Sequence, residues 1–202
     1  MTEDDFSKRR DRFFFLLGYA ITRWAYIDRS LFDFCKFALN TTERKTAIVF
    51  YRSPNIGDHL ALTNVLMREA QLQPQHLKHW DQIARLTERL LPFRNDIAHN
   101  PPAQAAYVTV VVNKHDLSKS HVANQKQEWE IRTEPTKLLH RSKRVRDFRA
   151  TSDHILEHIK KVQKLEQAIS ALRWELMGRP QGLGSTVPAP KFPENLDRDS
   201  QD

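Results

Sequence analysis

Residues 75–100, QHLKHWDQIARLTERLLPFRNDIAHN, decide the fold of this chain. Apolar residues recur every three or four positions in the first part, which predicts an amphipathic helix over about 75–91. Pro92 kinks this helix or begins a new turn, and the Arg94–His99 segment follows. Because a residue before proline is driven out of the helical region, Asn100-Pro101-Pro102 ends the segment. The sequence therefore places Arg94–His99 at a helix terminus, open to solvent.

Further helical patterns occupy most of the chain, which contains only 5 glycines among 202 residues. A composition rich in Leu, Ile, Ala, Arg and Glu favours helices. The other predicted helices lie over about Arg12–Leu39, within residues 40–56, over about Asp58–Ala70 with Asp58 as a candidate N-cap, and over about Val145–Leu176. The predicted fold class is therefore mainly α, a helical bundle.

The first long helix is apolar on most of its sides. Leu17, Ile21, Trp24 and Leu31 keep helical spacings, and several aromatic residues surround them. A helix of this kind is usually central to a fold or buried at an oligomer interface.

The hydrophobic period changes after the proline pair. Ala106–Val112 and Gln127–Thr133 alternate or are rich in β-branched residues, and a polar link joins them. This pattern predicts a β-hairpin over about 105–134, inserted in the helical domain. The predicted division of the chain is a flexible leader at 1–11, a helical domain at 12–177 and a disordered, Gly- and Pro-containing tail at 178–202.

The charge and the cysteine content limit the classes of function. The formal net charge is +7, which favours polyanionic partners such as RNA through phosphate contacts. The single cysteine, Cys35, allows no intramolecular disulfide and suits a reducing cytoplasm. The N-terminus is acidic, and the first apolar run is too short to span a bilayer, so neither a signal peptide nor a membrane partner is expected.

The Arg94–His99 segment combines residues that suit metal-independent cleavage of RNA. His99 can take the proton of a 2′-OH or return one to a leaving oxygen, because imidazole titrates near neutral pH. Arg94 can hold two phosphate oxygens at once. Asn95 can position a phosphate oxygen or fix the imidazole tautomer. The products would be a 2′,3′-cyclic phosphate and a 5′-OH, with no metal and no cofactor.

An arginine followed by a polar residue and, a few positions later, a histidine resembles the signature of the HEPN superfamily. RNDIAHN, after an amphipathic helix and before prolines, is similar to many members, as is the long aromatic first helix. The resemblance covers roughly residues 12–176 and implies a HEPN-like bundle. It also implies a homodimer in which both motifs line one shared cleft and, as for many members, a toxin or defence role with an antitoxin as partner.

The spacing within the motif sets a geometric constraint. In a regular helix, side chains five positions apart point about 140° away from each other. Arg94 and His99 therefore do not face one target from a straight helix. Either the helix is distorted after Pro92, or two copies of the chain combine, as the HEPN resemblance implies.

Two acids and one basic segment are candidate supporting residues. Asp28 is an acid inside the apolar first helix, where it would bond Arg94, orient His99 or lie at the surface. Asp96 lies inside the motif itself. The basic segment is either a surface that tracks phosphates or a solvated loop and helix start. Its candidate RNA-binding residues are Lys137, Arg141, Lys143, Arg144, Arg146 and Arg149.

One further pattern suggests a metal site. His154-Ile155-Leu156-Glu157-His158 matches the H-x-x-E-H arrangement of some zinc proteases. The apolar stripe of its helix leaves both histidines at the flank, and few residues remain downstream to supply another ligand. The sequence therefore favours no metal here.

The sequence leaves the activity open between three hypotheses, of which the third is a purely structural helical dimer, in which Arg94 would bond helix-terminal carbonyls and His99 would cap the helix. The first hypothesis is a HEPN endoribonuclease. The alternative is a non-catalytic HEPN-like module that binds RNA, a nucleotide or a protein, because a motif and a fold do not establish catalysis.

Overall fold

The structure, a computed structural model, describes residues 3–100, 102–111, 121–132, 149–178, 188–193 and 196. Within these ranges the chain is mainly α-helical and carries an antiparallel β-hairpin, as predicted. The helices are α1 Glu3–Leu39, α2 Glu43–Phe50, α3 Ile56–Glu69, α4 Pro74–His99 and α5 Ser152–Met177. The strands are β1 Pro102–Val111, β2 His121–Arg132 and β3 Arg149–Thr151.

The chain divides into two compact units. Unit 1 contains Met1–Ile21 and Arg94–Glu157, and unit 2 contains Thr22–Phe93 and His158–Asp202. The Arg94–His99 segment belongs to unit 1. The division predicted from the sequence, with a leader, one domain and a tail, stays a prediction.

The core of unit 2 is built from the apolar stripes of its helices. Buried residues on α5 include Ile159, Val162, Leu165 and Ile169, each at most 3% exposed. They belong to one hydrophobic cluster with buried side chains of α1 to α4, which include Trp24, Ile27, Leu31, Phe34, Phe50, Leu60, Trp80 and Ile83. Full burial of one such side chain contributes roughly 1.5–3 kcal/mol, so this cluster is the main source of stability in the unit.

In unit 1, helix α1 buries Phe13, Leu16 and Ala20, which follow a spacing of three and four. Ile21, which keeps helical spacing with Trp24, is 39% exposed and does not belong to this buried set. Apolar residues occupy neighbouring faces of α1 as well, so the hydrophobic period alone could not identify which face of the helix is buried. Helix α1 also begins at Glu3 rather than near Arg12.

The N-terminus of α3 is capped by Asn55, and the predicted cap at Asp58 is wrong. Asn55 has an extended backbone, with φ −103° and ψ 123°, and its side chain accepts a hydrogen bond from the amide of Gly57 at 2.9 Å. The carboxylate of Asp58 instead accepts a hydrogen bond from the hydroxyl of Ser53. The helix therefore starts one turn earlier than the apolar pattern indicated.

The hairpin pairs β1 and β2 in antiparallel register, from Pro102 opposite Ile131 to Val111 opposite His121, with one shift between Thr109 and Val110. Strand β2 is longer than predicted. Strand β3 pairs with β2 and places Ala150 opposite Ile131, and both side chains are buried.

Strand β3 changes the start of the last helix. The structure begins α5 at Ser152, whereas the sequence pattern placed the start near Val145. Thr151 is the residue before the helix, and its amide donates to His154 Nδ1 at 3.1 Å. His154 thus takes the place of the glutamate in a capping box.

Part of the predicted tail packs on unit 2. The ring of Phe192 stacks on His79 with centroids 3.9 Å apart and planes 8° apart. Leu196 is 3% exposed and belongs to the hydrophobic cluster. The prediction of a disordered tail is amended at these two positions.

Candidate functional site at the end of helix α4

The Arg94–His99 segment forms the last turns of α4. The helix continues through Pro92 and ends at His99, as the sequence predicted for the motif. The carbonyl of Asp96 accepts hydrogen bonds from the backbone amide of Asn100 at 3.1 Å and from its side-chain amide at 2.7 Å. Asn100 therefore closes the helix immediately after the motif.

The direction of each motif side chain follows from the helical period. Ile97 is 2% exposed and marks the inward face of the segment. Arg94 lies about 60° from Ile97, and His99 lies about 160° from it. The guanidinium is accordingly half-buried, whereas His99 is exposed at the helix end.

Arg94 bonds to its neighbour in the motif. Its Nη1 donates to Asn95 Oδ1 at 3.1 Å. Among the described residues, its buried Nε has no hydrogen-bond partner. A buried N–H without an acceptor is costly.

Asn95 lies on the same face of the helix as His99. The two positions are four residues apart, so their directions differ by about 40°. The helix is α-helical across the motif, so the predicted distortion after Pro92 does not supply the convergence. Arg94 bonds to Asn95, the motif residue that shares a face with His99.

The two candidate supporting acids have other contacts. Asp28 Oδ1 lies 2.7 Å from His59 Nδ1, in unit 2, and His59 Nε2 lies 2.7 Å from the carbonyl oxygen of Ser53. His59 was not singled out by the sequence, since this contact joins residues far apart in the chain. The backbone carbonyl of Asp96 holds Asn100, and the Asp96 residue is half-buried.

Most of the candidate RNA-binding residues lie outside the described residues, namely Lys137, Arg141, Lys143, Arg144 and Arg146. Arg149, at the start of β3, forms an ion pair with the buried carboxylate of Glu130. Arg149 thus has a structural partner in the sheet, and its role toward RNA stays a prediction.

The two histidines of the H-x-x-E-H pattern occupy different environments. His154 is exposed and caps α5, as described above. His158 is 4% exposed, so the prediction that it lies at the flank is wrong. Its Nε2 accepts a hydrogen bond from Trp24 Nε1 at 2.9 Å, and burial, aided by nearby Lys161, lowers its pKa to about 4. Within the described residues, no group of three or more His, Cys, Asp or Glu side chains could hold a metal ion.

Comparisons with protein-family models, with curated proteins and with solved structures found no match. The likeness to the HEPN superfamily therefore rests on Arg94, Asn95 and His99, on their place at the helix end, and on the long aromatic first helix. Of the helices in the described ranges, none has both the length and the apolar character needed to cross a membrane.

Proposed function

We propose that this chain is a metal-independent endoribonuclease of HEPN type. The observation that carries the proposal is the end of α4, where His99 is exposed on the face shared with Asn95, and Arg94 bonds to Asn95. An acid–base group, a phosphate-binding cation and an orienting amide thus lie within the last two turns of one helix, with His99 exposed at its end. This is the set of groups that cleavage by an internal 2′-OH requires.

The reaction can be written with these groups alone. The 2′-oxygen attacks the adjacent phosphorus while an imidazole removes its proton. Arg94 stabilises the negative charge that develops on the phosphate oxygens. The bond from phosphorus to the 5′-oxygen then breaks, and that oxygen receives a proton. The products carry a 2′,3′-cyclic phosphate and a 5′-OH.

A homodimer would supply the second proton-transfer group. One imidazole accepts the 2′-OH proton, and another, already protonated, would give a proton to the leaving oxygen. Each chain has one motif histidine, so a cleft shared by two copies holds both. Helix α1 of unit 1 offers a surface for this pairing, since Phe14 is 42% and Ile21 is 39% exposed. Gly18 lies between them on the same face with open space at its Cβ position, so a partner helix could approach closely.

The biological setting follows from the activity. An RNA-cutting protein suits a toxin or defence effector in the cytoplasm, and an antitoxin would then be its partner. The basic residues from Lys137 to Arg149 would add phosphate contacts. Cys35 agrees with a reducing compartment, since it is a free, buried thiol whose pKa is raised by burial.

The alternative is a non-catalytic module that binds RNA, a nucleotide or a protein. One observation favours this alternative. The guanidinium of Arg94 is half-buried and already bonds to Asn95 without any ligand, as expected of a residue with a structural role. Such a module would bind without cutting and would tolerate the loss of the His99 imidazole.

The test is incubation of purified protein with end-labelled RNA in excess EDTA. His99→Ala and Arg94→Ala should each reduce cleavage by at least about a hundredfold, which is the lower range for loss of an acid–base group. Wild-type products should carry 2′,3′-cyclic phosphate ends. The matched control is His154→Gln, because His154 is an exposed histidine outside the motif and glutamine can also cap α5.

Undiminished cleavage by both motif variants would refute the proposal. Binding of RNA by the wild type without any cleavage would favour the alternative. Circular dichroism of each variant separates loss of chemistry from loss of fold.

A further inference from the structure

A cavity in unit 2 contains polar groups that the proposed chemistry does not use. It lies between α1 and α5 and has a volume of about 340 Å³, within the roughly 300–1,000 Å³ of small-molecule sites. Helix α1 contributes Arg23 and Tyr26, and α5 contributes Gln163, Glu166, Gln167 and Ser170. All six residues belong to unit 2, whereas the Arg94–His99 segment belongs to unit 1. We call this space the Glu166 cavity.

The helical period explains how α5 lines the cavity. Gln163, Glu166, Gln167 and Ser170 follow spacings of three, one and three, so they share one face of the helix within a sector about 100° wide. Glu166 is buried, at 9% exposed, whereas both glutamines are exposed. A buried carboxylate therefore lies among side-chain amides, which can both donate and accept hydrogen bonds.

Glu166 has an acceptor atom that nothing in its surroundings satisfies. Its Oε2 pairs with Arg23 Nη2 at 3.1 Å. Its Oε1 is buried and has no hydrogen-bond partner among the residues that the structure describes. Burial raises the pKa of the Glu166 carboxyl, and the Arg23 charge opposes that rise and favours the ionised form. An ionised oxygen buried without a donor is costly, so this atom points to a ligand that supplies an N–H group.

The charge of the cavity indicates a ligand group that is neutral. Arg23 and Glu166 form an ion pair, so their charges cancel for a molecule that contacts both. A phosphate or carboxylate beside Glu166 Oε1 would be repelled, because an ionised carboxylate offers acceptors only. The group that reaches Oε1 is therefore an uncharged N–H donor, such as an amide or the amino group of a heterocycle.

The aromatic residue of the cavity favours a flat heterocycle. Tyr26 is 44% exposed, and its ring offers a face on which a planar group can stack. Unpaired nucleobases are bound in this way, by stacking on an aromatic ring and by hydrogen bonds to their Watson–Crick edge. Cytosine and adenine present an amino donor directly beside a ring-nitrogen acceptor. Guanine presents two adjacent N–H donors, which require two acceptors, and Glu166 has only Oε1 to offer since Oε2 pairs with Arg23.

We propose that the Glu166 cavity binds an unpaired cytosine or adenine base. The amino group donates to Glu166 Oε1, the ring stacks on Tyr26, and an amide of Gln163 or Gln167 donates to the ring nitrogen. This inference rests on the proposed function for the source of the base, which is then single-stranded RNA. A free nucleotide presents the same base chemistry, so the test separates the two sources.

The first measurement is base preference. Fluorescence anisotropy of labelled oligonucleotides with 2′-O-methyl groups gives the Kd, and such strands cannot be cut by 2′-OH attack. Strands of cytosine or of adenine should bind the wild type about tenfold or more tighter than strands of uracil, the range for one well-placed contact to a base edge.

Glu166→Gln tests the contact that sets this preference. Arg23 only donates, so it would hold the amide oxygen of the new side chain and leave the NH₂ group toward the cavity. A donor in that place favours the carbonyl groups of uracil, so the preference for cytosine and adenine should be lost or reversed. The matched control is Glu69→Gln, which removes the same charge from an exposed position of unit 2 outside the cavity and should keep the wild-type preference.

Tyr26→Ala tests the stacking contact at an exposed position that tolerates substitution. It should raise the Kd for the cytosine and adenine strands about tenfold or more, the range for loss of one stacked base, and Tyr26→Phe should restore it. Circular dichroism and melting temperature establish that each variant is folded, and Tyr26→Ala keeps the inference testable if Glu166→Gln does not fold.

The inference is wrong if the wild type binds all three strands equally, if Glu166→Gln keeps the preference, if Tyr26→Ala leaves the Kd unchanged, or if Glu69→Gln has the same effect as Glu166→Gln. Binding of cytidine or adenosine monophosphate that depends on Glu166, without such dependence for the strands, would support the base site and refute RNA as its source. A Glu166-dependent preference among strands in a protein that cuts no RNA would support the inference and refute the nuclease proposal, so the two fail separately.

Discussion

At the scale of single residues, His158 shows how a titratable group becomes part of a core. Its ring stacks on Phe93 with centroids 4.5 Å apart, and its Nε2 accepts the hydrogen bond of Trp24 Nε1. A buried indole N–H requires an acceptor, and only a neutral imidazole supplies one. Burial therefore holds His158 in its neutral form.

This state makes stability depend on pH. The pKa of His158 is lowered from 6.5 to about 4 in the folded chain. As the pH falls, the unfolded chain therefore binds a proton at this histidine before the folded chain does. The stability contributed by neutral His158 is complete above pH 6.5 and is lost between pH 6.5 and about 4. The full loss is on the order of 3 kcal/mol. Urea unfolding at neutral pH and near pH 4 should show this loss in the free energy of unfolding.

The control for this prediction is His158→Gln, which keeps an acceptor for Trp24 but does not titrate in this range. Its stability should fall less between the two pH values than that of the wild type. Equal losses in the two proteins would show that other groups account for the acid sensitivity.

Residues of the candidate site differed in how well the sequence identified them. Arg94, Asn95 and His99 were found because their spacing and the following prolines are local features, and their place at the helix end is confirmed. The bond from Arg94 to Asn95 depends on side-chain rotamers, which the spacing does not determine. The environment of His158 was missed because its partner Trp24 lies 134 positions away in the chain.

At the scale of elements, the start of α3 illustrates the strength of local capping. The Asn55 side chain satisfies the amide of Gly57, one of the four backbone donors left open at a helix N-terminus. Asn55→Ala should lower the free energy of unfolding by about 1 kcal/mol, and Asn55→Asp should largely preserve it. Denaturation in urea measures both changes.

Asp58→Ala serves as the comparison, because Asp58 was the cap expected from the sequence. Its side chain accepts from Ser53 at the surface rather than from the helix amides, so its removal should cost less than that of Asn55. A larger loss at Asp58 than at Asn55 would show that the helix begins where the apolar pattern indicated.

The elements themselves were predictable where a period extends over several turns. The helices α4 and α5 have long apolar stripes, and β1 and β2 form the predicted hairpin. Strand β3 has only 3 residues, too few for a period, and it exists through its pairing with β2. The start of α1 was missed because Glu3–Asp5 carries no apolar period, although acids there suit a helix N-terminus.

At the scale of the whole molecule, composition determined the fold class but not the division into units. A glycine-poor chain rich in helix formers predicted the helical architecture. The two units combine residues from distant parts of the sequence, such as Met1–Ile21 with Arg94–Glu157. Periodicity along the chain carries no information about such groupings, because they depend on long-range packing.

The oligomeric state of the whole molecule is tied to the proposed chemistry. If two copies form one cleft, charge on the pairing face should separate them and stop cleavage while leaving both motifs intact. Phe14→Glu places a carboxylate on that exposed face and should convert dimer to monomer in analytical ultracentrifugation. Phe14→Leu is the matched control, since it keeps an apolar side chain at the same position, and it should remain dimeric.

Mixing two inactive variants tests whether the copies share a site. Arg94→Ala retains His99 and His99→Ala retains Arg94, so a mixed dimer still holds one arginine and one histidine, on different chains. If the working pair of arginine and base is formed across the dimer, mixing should recover a small part of the cleavage that each variant lacks alone, because the one remaining imidazole takes the 2′-OH proton and water must protonate the leaving oxygen. If Arg94 and His99 of one chain must act together, mixing should recover nothing. The bond from Arg94 to Asn95 allows action within one chain, whereas the opposed directions of Arg94 and His99 favour action between chains. Recovery that disappears when Phe14→Glu is added to both variants would therefore locate the complete site at the interface of two copies.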